Sequence, residues 1–111
     1  YDSDATLGAS TTAFSTSEEI TNTSGSAYTS GGATLTSVTP VASSTTAVCD
    51  FSDVSFSSAS FTANGALIYN SSASNAAVAA IAFGSDKTAT NGTFTIQFPT
   101  ADATNAIIRL A

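Results

Sequence analysis

The chain has 111 residues, including 21 Ala, 19 Ser and 19 Thr, and its two basic and eight acidic residues give a net charge of −6. This acidic balance excludes a surface that holds a phosphate backbone, so we expect no nucleic-acid partner. The chain has no His and one Cys, which excludes histidine acid–base catalysis, zinc clusters and an intrachain disulfide. The composition therefore favours a structural or binding domain that is not an enzyme and holds no cofactor and no metal.

The first part of the chain is rich in Ser, Thr, Gly and Asp and poor in large apolar residues. We predict an irregular N-terminal arm with loops over residues 1–32, followed by a β-sandwich core over residues 33–111. Leu7, Phe14 and Ile20 lie in the arm and have no neighbouring strand to which they could belong. We therefore predict that these three residues form an interface with a partner.

The arm also carries two acidic motifs. A calcium loop of the EF-hand type that began at Asp2 would need Gly and Glu at the positions where this chain has Leu7 and Ala13. Glu18 and Glu19 are adjacent, and adjacent side chains of an extended segment point to opposite sides. We therefore predict a solvated acidic turn at the start of the chain and no metal site.

Two further segments are expected to be turns or loops. The glycine-rich segment 25–32 lacks the lysine of a phosphate-binding loop, so we predict a turn with Tyr28 packed inward. The hydrophilic segment 84–88 contains Lys87, which we predict to be an exposed charge.

The β domain carries seven segments with the apolar alternation or the short apolar runs typical of strands. They lie at residues 33–41, 47–51, 54–56, 65–70, 75–83, 93–98 and 107–110. Phe94, Ile96 and Phe98 alternate with polar residues, which is typical of a half-buried strand. Pro40 places the first segment at a sheet edge or at a strand end, because proline cannot donate to a ladder.

Three of these segments carry more specific expectations. The continuous apolar run 65–70 predicts a central strand that is covered on both faces. The alanines of 75–83 favour a helix by propensity, but the segment is short and follows the tight connection 71–75, so we predict the return strand of a hairpin. In 47–51 we predict that Cys49 is a small apolar residue of the core.

Many short strands and no amphipathic helix predict an all-β fold, an antiparallel β-sandwich or a jelly-roll-like barrel with an irregular N-terminal arm. Sheet proteins usually protect their edges with charges, especially Lys, yet Lys87 and Arg109 are the only basic residues here. The edges must therefore be covered by loops, by the arm or by a neighbouring subunit. The last of these options favours a chain that packs within an assembly.

The order of segments from residue 21 to residue 110 resembles a group of small tailed-bacteriophage virion proteins. The matching pieces are the glycine-rich turn at 25–35, Phe-Ser-Asp-Val-Ser-Phe at 51–56, Gly-Ala-Leu-Ile-Tyr-Asn at 65–70, Ala-Phe-Gly at 82–84, Asn-Gly-Thr-Phe-Thr-Ile at 91–96 and Ala-Ile-Ile-Arg-Leu at 106–110. Members of that group usually have a strand that leads into the segment beginning here at Tyr1, so the resemblance implies an upstream segment. The matching motifs are turns and strand cores and carry no catalytic residue.

The resemblance implies a non-enzymatic bacteriophage virion structural protein. The small size of the chain and the lack of a receptor-binding or coiled-coil module favour the head over the tail. We therefore expect a capsid decoration or cement protein on the capsid exterior, binding the major capsid protein as a homotrimer. We expect no membrane partner, since the longest apolar run, at 76–83, is too short to cross a bilayer.

Three alternatives stay open from the sequence. A tail-associated virion protein would contact tail-tube or baseplate proteins in place of the head lattice. A bacterial surface β-sandwich domain would be expected to have a signal peptide, and a carbohydrate-binding β-sandwich domain would be expected to have a line of exposed aromatic residues. The three tyrosines, Tyr1, Tyr28 and Tyr69, are scattered along the chain, which argues against the carbohydrate-binding alternative.

Overall fold

The computed structural model describes residues 1–21 and 28–110, and the regular elements in these ranges are β-strands. The strands are β1 (Ser37–Ser43), β2 (Thr46–Phe51), β3 (Val54–Asn70), β4 (Ala76–Ile96) and β5 (Ile108–Leu110). They form two antiparallel sheets, a three-stranded sheet in the order β1-β2-β5 and a two-stranded ribbon of β3 and β4. The prediction of an all-β, antiparallel fold is confirmed. The described ranges contain no helix that is long and apolar enough to span a membrane.

The ribbon is much longer than the sequence predicted, because polar residues continue its pairing where large apolar residues are missing. β3 has 17 residues and β4 has 21, whereas the sequence predicted four separate short strands across the same part of the chain. The facing hydroxyls of Ser55 and Thr95 lie 2.9 Å apart, and those of Thr62 and Thr88 lie 2.8 Å apart. Cross-strand hydroxyl pairs of this kind stabilise a pleated pair without any apolar alternation.

The ribbon bends where residues 83–86 of β4 lie opposite Asn64 of β3. The Nδ2 atom of Asn64 donates a hydrogen bond of 2.8 Å to Oδ1 of Asp86 across this bulge. The sequence predicted a loop at 84–88, and this is wrong, because the segment stays within β4 and the extra residues are absorbed by the bulge. Lys87 is exposed, as predicted.

Beyond the bend the two strands approach closely at Gly65. A Cβ atom at this position would lie 2.8 Å from the backbone oxygen of Ile81, so the backbone leaves room for glycine only. The prediction that 65–70 is a central strand is also wrong. This segment belongs to a two-stranded ribbon and is half-buried up to Tyr69, because its outer edge faces the arm and not a third strand.

The main apolar cluster lies between the ribbon and the arm. Its buried members are Phe56, Ala59, Phe61 and Ala63, and the partly buried residues packed against them are Ile20, Tyr28, Val54, Phe83, Ala89 and Phe94. No member of this cluster comes from β1, β2 or β5. The inward packing predicted for Tyr28 is confirmed, and so is the half-buried face predicted for the alternating segment that ends at Phe98. Residues 25–27 of the predicted glycine-rich turn lie outside the described ranges.

The three-stranded sheet buries a different face from the one predicted. Val48 is only 1% exposed and Thr46 is buried, whereas Cys49, which points to the other face, is half-buried. Ser43 pairs with Thr46 and therefore shares its face, and the Ser43 hydroxyl accepts a hydrogen bond of 3.2 Å from the backbone N–H of Ala103. The segment after β4 thus folds over the face that carries Val48, which local alternation could not predict.

The edges and ends of this sheet agree with the sequence. β1 is an edge strand and contains Pro40, so the edge position predicted from the proline is confirmed. The last predicted strand is confirmed as β5. The sheet and the ribbon meet at the rings of Phe51 and Phe98, whose centroids are 6.3 Å apart, and the N–H of Phe98 donates a hydrogen bond to Asp53.

Candidate interaction surface on the arm and ribbon

The arm crosses the ribbon and is hydrogen-bonded to both of its outer edges. At the β3 edge, the backbone of Tyr1 donates to the carbonyl of Gly65 and accepts from the N–H groups of Asn64 and Gly65. At the β4 edge, Ala13 forms an antiparallel bridge with Ala76, and the N–H of Ala77 donates to the carbonyl of Thr12. The arm therefore covers part of each edge, which is one of the three ways of edge protection that the sequence left open.

The structure places the three predicted interface residues against the ribbon of the same chain. The ring of Phe14 stacks on Tyr69 with a centroid distance of 4.7 Å, and Ile20 packs on the main apolar cluster. Leu7 lines a small groove of about 150 Å³ together with Gly65. All three side chains are half-buried, so each keeps some exposed surface. Their role in binding a partner stays a prediction.

Glu19 is the polar centre of the arm, and the sequence did not indicate it. Its carboxylate accepts hydrogen bonds from the Tyr28 hydroxyl at 2.7 Å, the Ser30 hydroxyl at 2.7 Å and the N–H of Gly31 at 2.6 Å. Partial burial opposes the charge of Glu19, but the hydrogen bonds outweigh it and hold its pKa below the usual value. Burial and the bond to this carboxylate raise the pKa of Tyr28 well above the usual range.

The neighbouring carboxylate, Glu18, points elsewhere, as the sequence predicted for adjacent residues. Its side chain joins those of Asp2 and Asp4, and one carboxylate oxygen of each lies within 4.8 Å of the others. The predicted acidic turn is confirmed by a hydrogen bond of 3.0 Å from the N–H of Asp4 to Oδ1 of Asp2. Nothing in the sequence indicated that the motif at Asp2 and the pair at Glu18 lie together. The folded arm brings them together through a hydrogen bond from the N–H of Asp2 to the carbonyl of Glu18.

A second groove, of about 360 Å³, runs between the arm and β4. Gly8, Ala9 and Thr11 line it on the arm side, and the residues on the ribbon side are Leu67, Ala77, Val78, Ala79 and Ala80. The lining contains no charged residue. Val78 is 49% exposed, which makes it one of few large apolar residues in the described ranges with so much accessible surface.

The other exposed large apolar residues lie on the three-stranded sheet. Val38 and Val41 of β1 are 42% and 52% exposed, and Leu110 of β5 is 67% exposed. On the same sheet, Oδ1 of Asp50 is buried and has no hydrogen-bond partner among the described residues. Both parts of the molecule therefore leave apolar side chains exposed, and on the ribbon Val78 lies beside a groove.

Comparisons with known proteins add no relative: no protein-family model, no curated protein and no solved structure matches the chain. The groove of about 360 Å³ is lined by uncharged, mostly small side chains, with the exposed Val78 among them. Glu19 and the two ends of the arm hold the arm that bounds this groove. No local spacing in the sequence indicates that Glu19 binds residues 28–31, since this contact arises only after the arm folds on the ribbon.

Proposed function

We propose that the chain is a non-enzymatic bacteriophage virion structural protein, a capsid decoration or cement protein on the capsid exterior that stabilises the head lattice. Its expected partner is the major capsid protein, and its expected oligomer is a homotrimer. The same proposal includes a sandwich arrangement of the two sheets, which meet at the rings of Phe51 and Phe98. The resemblance of segments 21–110 to tailed-phage virion proteins supports this choice of assembly.

The observation that carries the proposal is the small number of buried apolar side chains. Among the described residues they are Val48, Phe56, Ala59, Phe61 and Ala63. A domain of this length normally depends on a larger apolar core for its stability. The chain instead leaves large apolar residues exposed on both sheets, and apolar patches on a protein surface are typical of contact sites. A chain of this kind gains stability by burying further surface against its neighbours.

The composition suits contact with a lattice of repeated partners. Ser, Thr and Ala side chains lose little conformational entropy when they are buried, and few charges have to be desolvated. Each contact can be weak, because many contacts on one particle act together. The net charge of −6 keeps decorated particles apart in solution.

The copy number of the chain in purified virions tests the proposal. Quantitative mass spectrometry should find the chain in numbers comparable with those of the major capsid protein. A copy number comparable with that of a single-ring tail protein would contradict the head location and support the tail alternative. Absence of the chain from purified virions would overturn the assignment to a virus particle.

The contribution of the arm is tested by the Leu7→Ser variant. The variant is added to phage heads that were assembled in the absence of the chain. We expect about tenfold fewer sites on these heads to be occupied, since the substitution removes roughly 1.5 kcal/mol of apolar contact. Thr6→Ser is the control, because it shortens an exposed side chain of the same arm and removes no large apolar group. Thermal unfolding of both variants shows that they fold. Equal occupancy of the two variants would contradict an interface on the arm.

A further inference from the structure

We propose that the open edge of β4 at residues 78–82 accepts an extended, uncharged segment of a partner protein as an added strand. Under the proposed function this partner is the capsid shell protein, so the inference depends on that function for the identity of the partner. The place and the mode of contact come from the ribbon itself.

The backbone of this edge is directed outward. Gly65 uses its N–H and carbonyl to bond Tyr1 on the outer side of β3, so Gly65 and its partner Ala82 form a non-hydrogen-bonded pair. The pairing is regular from this pair to the pair of Leu67 and Ala80, two residues further on. The N–H and carbonyl groups of Ala80 and Ala82 therefore point away from β3. In the described ranges, no hydrogen bond reaches them from the arm.

The arm shows what this edge binds. Residues 12–14 lie antiparallel beside residues 75–77 of the same strand and are bonded to it through their backbones. Before residue 12 the arm lies further from this edge, and the groove of about 360 Å³ separates arm residues 8–11 from β4. A strand placed in this groove would continue the pairing that the arm begins, with the arm as its outer wall.

The edge lacks the protection that the chain gives to its other sheet. The outer strand β1 contains Pro40 and a register shift between Val38 and Val41, and both features discourage strand addition. Residues 79–82 of β4 contain no proline, no charge and no register shift, and their side chains are Ala, Ala, Ile and Ala. An open edge of this length with small side chains is well suited to accept a strand.

Charge determines the kind of segment that fits. The groove along residues 77–80 is lined by uncharged residues, so a charged segment would lose its hydration there and gain no partner. The smaller groove along residues 80–82 has Asp2 in its lining, which would repel a negatively charged segment. A second copy would bring its own arm and ribbon to this edge, whereas the groove between the arm and β4 suits a single extended segment. The occupant is therefore an uncharged, extended segment of another protein.

Hydrogen exchange on the unmodified chain gives the first test. Amide exchange of the peptide that covers residues 78–83 is measured by mass spectrometry on the free chain and on the chain bound to heads assembled without it. We expect slower exchange of the Ala80 and Ala82 amides in the bound chain. Unchanged exchange of these amides in a chain that does bind heads would overturn the inference and leave the proposed function standing.

The Ala80→Pro variant gives the second test, because it removes an outward N–H without breaking a bond to β3. We expect the variant to bind heads with about tenfold lower affinity. This corresponds to the loss of one backbone hydrogen bond and of the packing between the added strand and Ala80. Ala80→Ser is the matched control, since it keeps the N–H and a small side chain. Ala82→Pro is a second variant at the next outward position, and circular dichroism confirms that each variant folds.

The remaining outcomes separate the two proposals. If neither the unmodified chain nor the control binds heads, both the proposed function and the inference fail. If sedimentation shows that the free chain self-associates and that Ala80→Pro abolishes this, the occupant is a second copy and the inference is overturned. Equal binding by Ala80→Pro and Ala80→Ser would show that another surface makes the contact.

Discussion

The ribbon and the three-stranded sheet obtain their stability differently. The ribbon contains four of the five buried apolar side chains and a set of packed aromatic rings, and the arm adds Ile20 and Tyr28 to this cluster. The three-stranded sheet contains one fully buried side chain, Val48, under a turn that follows the ribbon. In a chain of small residues, local stability therefore follows the few positions where aromatic rings pack together.

The largest effect is expected from Phe61→Ala, because Phe61 contacts three other rings in the main cluster. Truncation of a buried phenylalanine costs about 3–4 kcal/mol, from lost apolar burial and the cavity left behind. The free energy of unfolding, measured in urea, checks this value. Phe98→Ala is the control, as it removes a half-buried ring outside the cluster. Equal losses for the two variants would show that the cluster is not the centre of stability.

A smaller effect is expected from Val48→Ala, which removes part of the one fully buried side chain of the three-stranded sheet. Removal of two buried methyl groups costs about 2 kcal/mol. Hydrogen exchange should become faster in β1, β2 and β5, while the amides of the ribbon keep their protection, because the two regions share few contacts. A uniform increase of exchange along the chain would show instead that sheet and ribbon unfold as one unit.

The smallest effect is expected from Glu19→Gln, which weakens the contacts between the arm and residues 28–31. The loss is about 1 kcal/mol near neutral pH, because a neutral amide accepts these hydrogen bonds less strongly. The pKa of Glu19 is lower in the folded chain, so its contribution is present above the unfolded value of about 4.3 and is lost as the pH falls through the folded value.

Urea unfolding at several pH values measures this dependence, with Glu18→Gln as the matched control. Within residues 1–21 and 28–110 the Glu18 carboxylate has no such set of hydrogen bonds, and it lies beside Asp2 and Asp4, so its neutralisation should leave stability unchanged or slightly raised. A loss of stability for Glu18→Gln equal to that for Glu19→Gln would mean that the charge of the arm matters and the hydrogen bonds do not.

The sequence predicted the fold class well, because strand signals depend on neighbouring residues. The alternation around Phe94, the edge position of Pro40 and the hairpin at 71–75 all arise from contacts within a few residues. The length of β3 and β4 could not be predicted, since hydroxyl pairs such as Thr62 with Thr88 have no apolar period. The buried face of β2 was also missed, because the turn at Ala103 that covers it is distant in sequence.

The candidate site was predicted only in part for the same reason. Phe14 and Ile20 stood out as apolar residues in a polar arm, and the structure shows where each packs. Glu19 and the open edge at Ala80 gave no sequence signal, since both depend on where the arm lies after folding. Long-range pairing therefore decides which polar groups are satisfied and which backbone groups stay available.

The close approach at Gly65 has a consequence for tolerance to mutation. One absent methyl group sets the spacing of the two strands there, and the same residue supplies both backbone groups that bind Tyr1. In a library that samples all amino acids at every position, Gly65 should therefore be among the least replaceable residues, although no side chain is involved. Any side chain there would push Ile81 aside and release the start of the arm from its anchor.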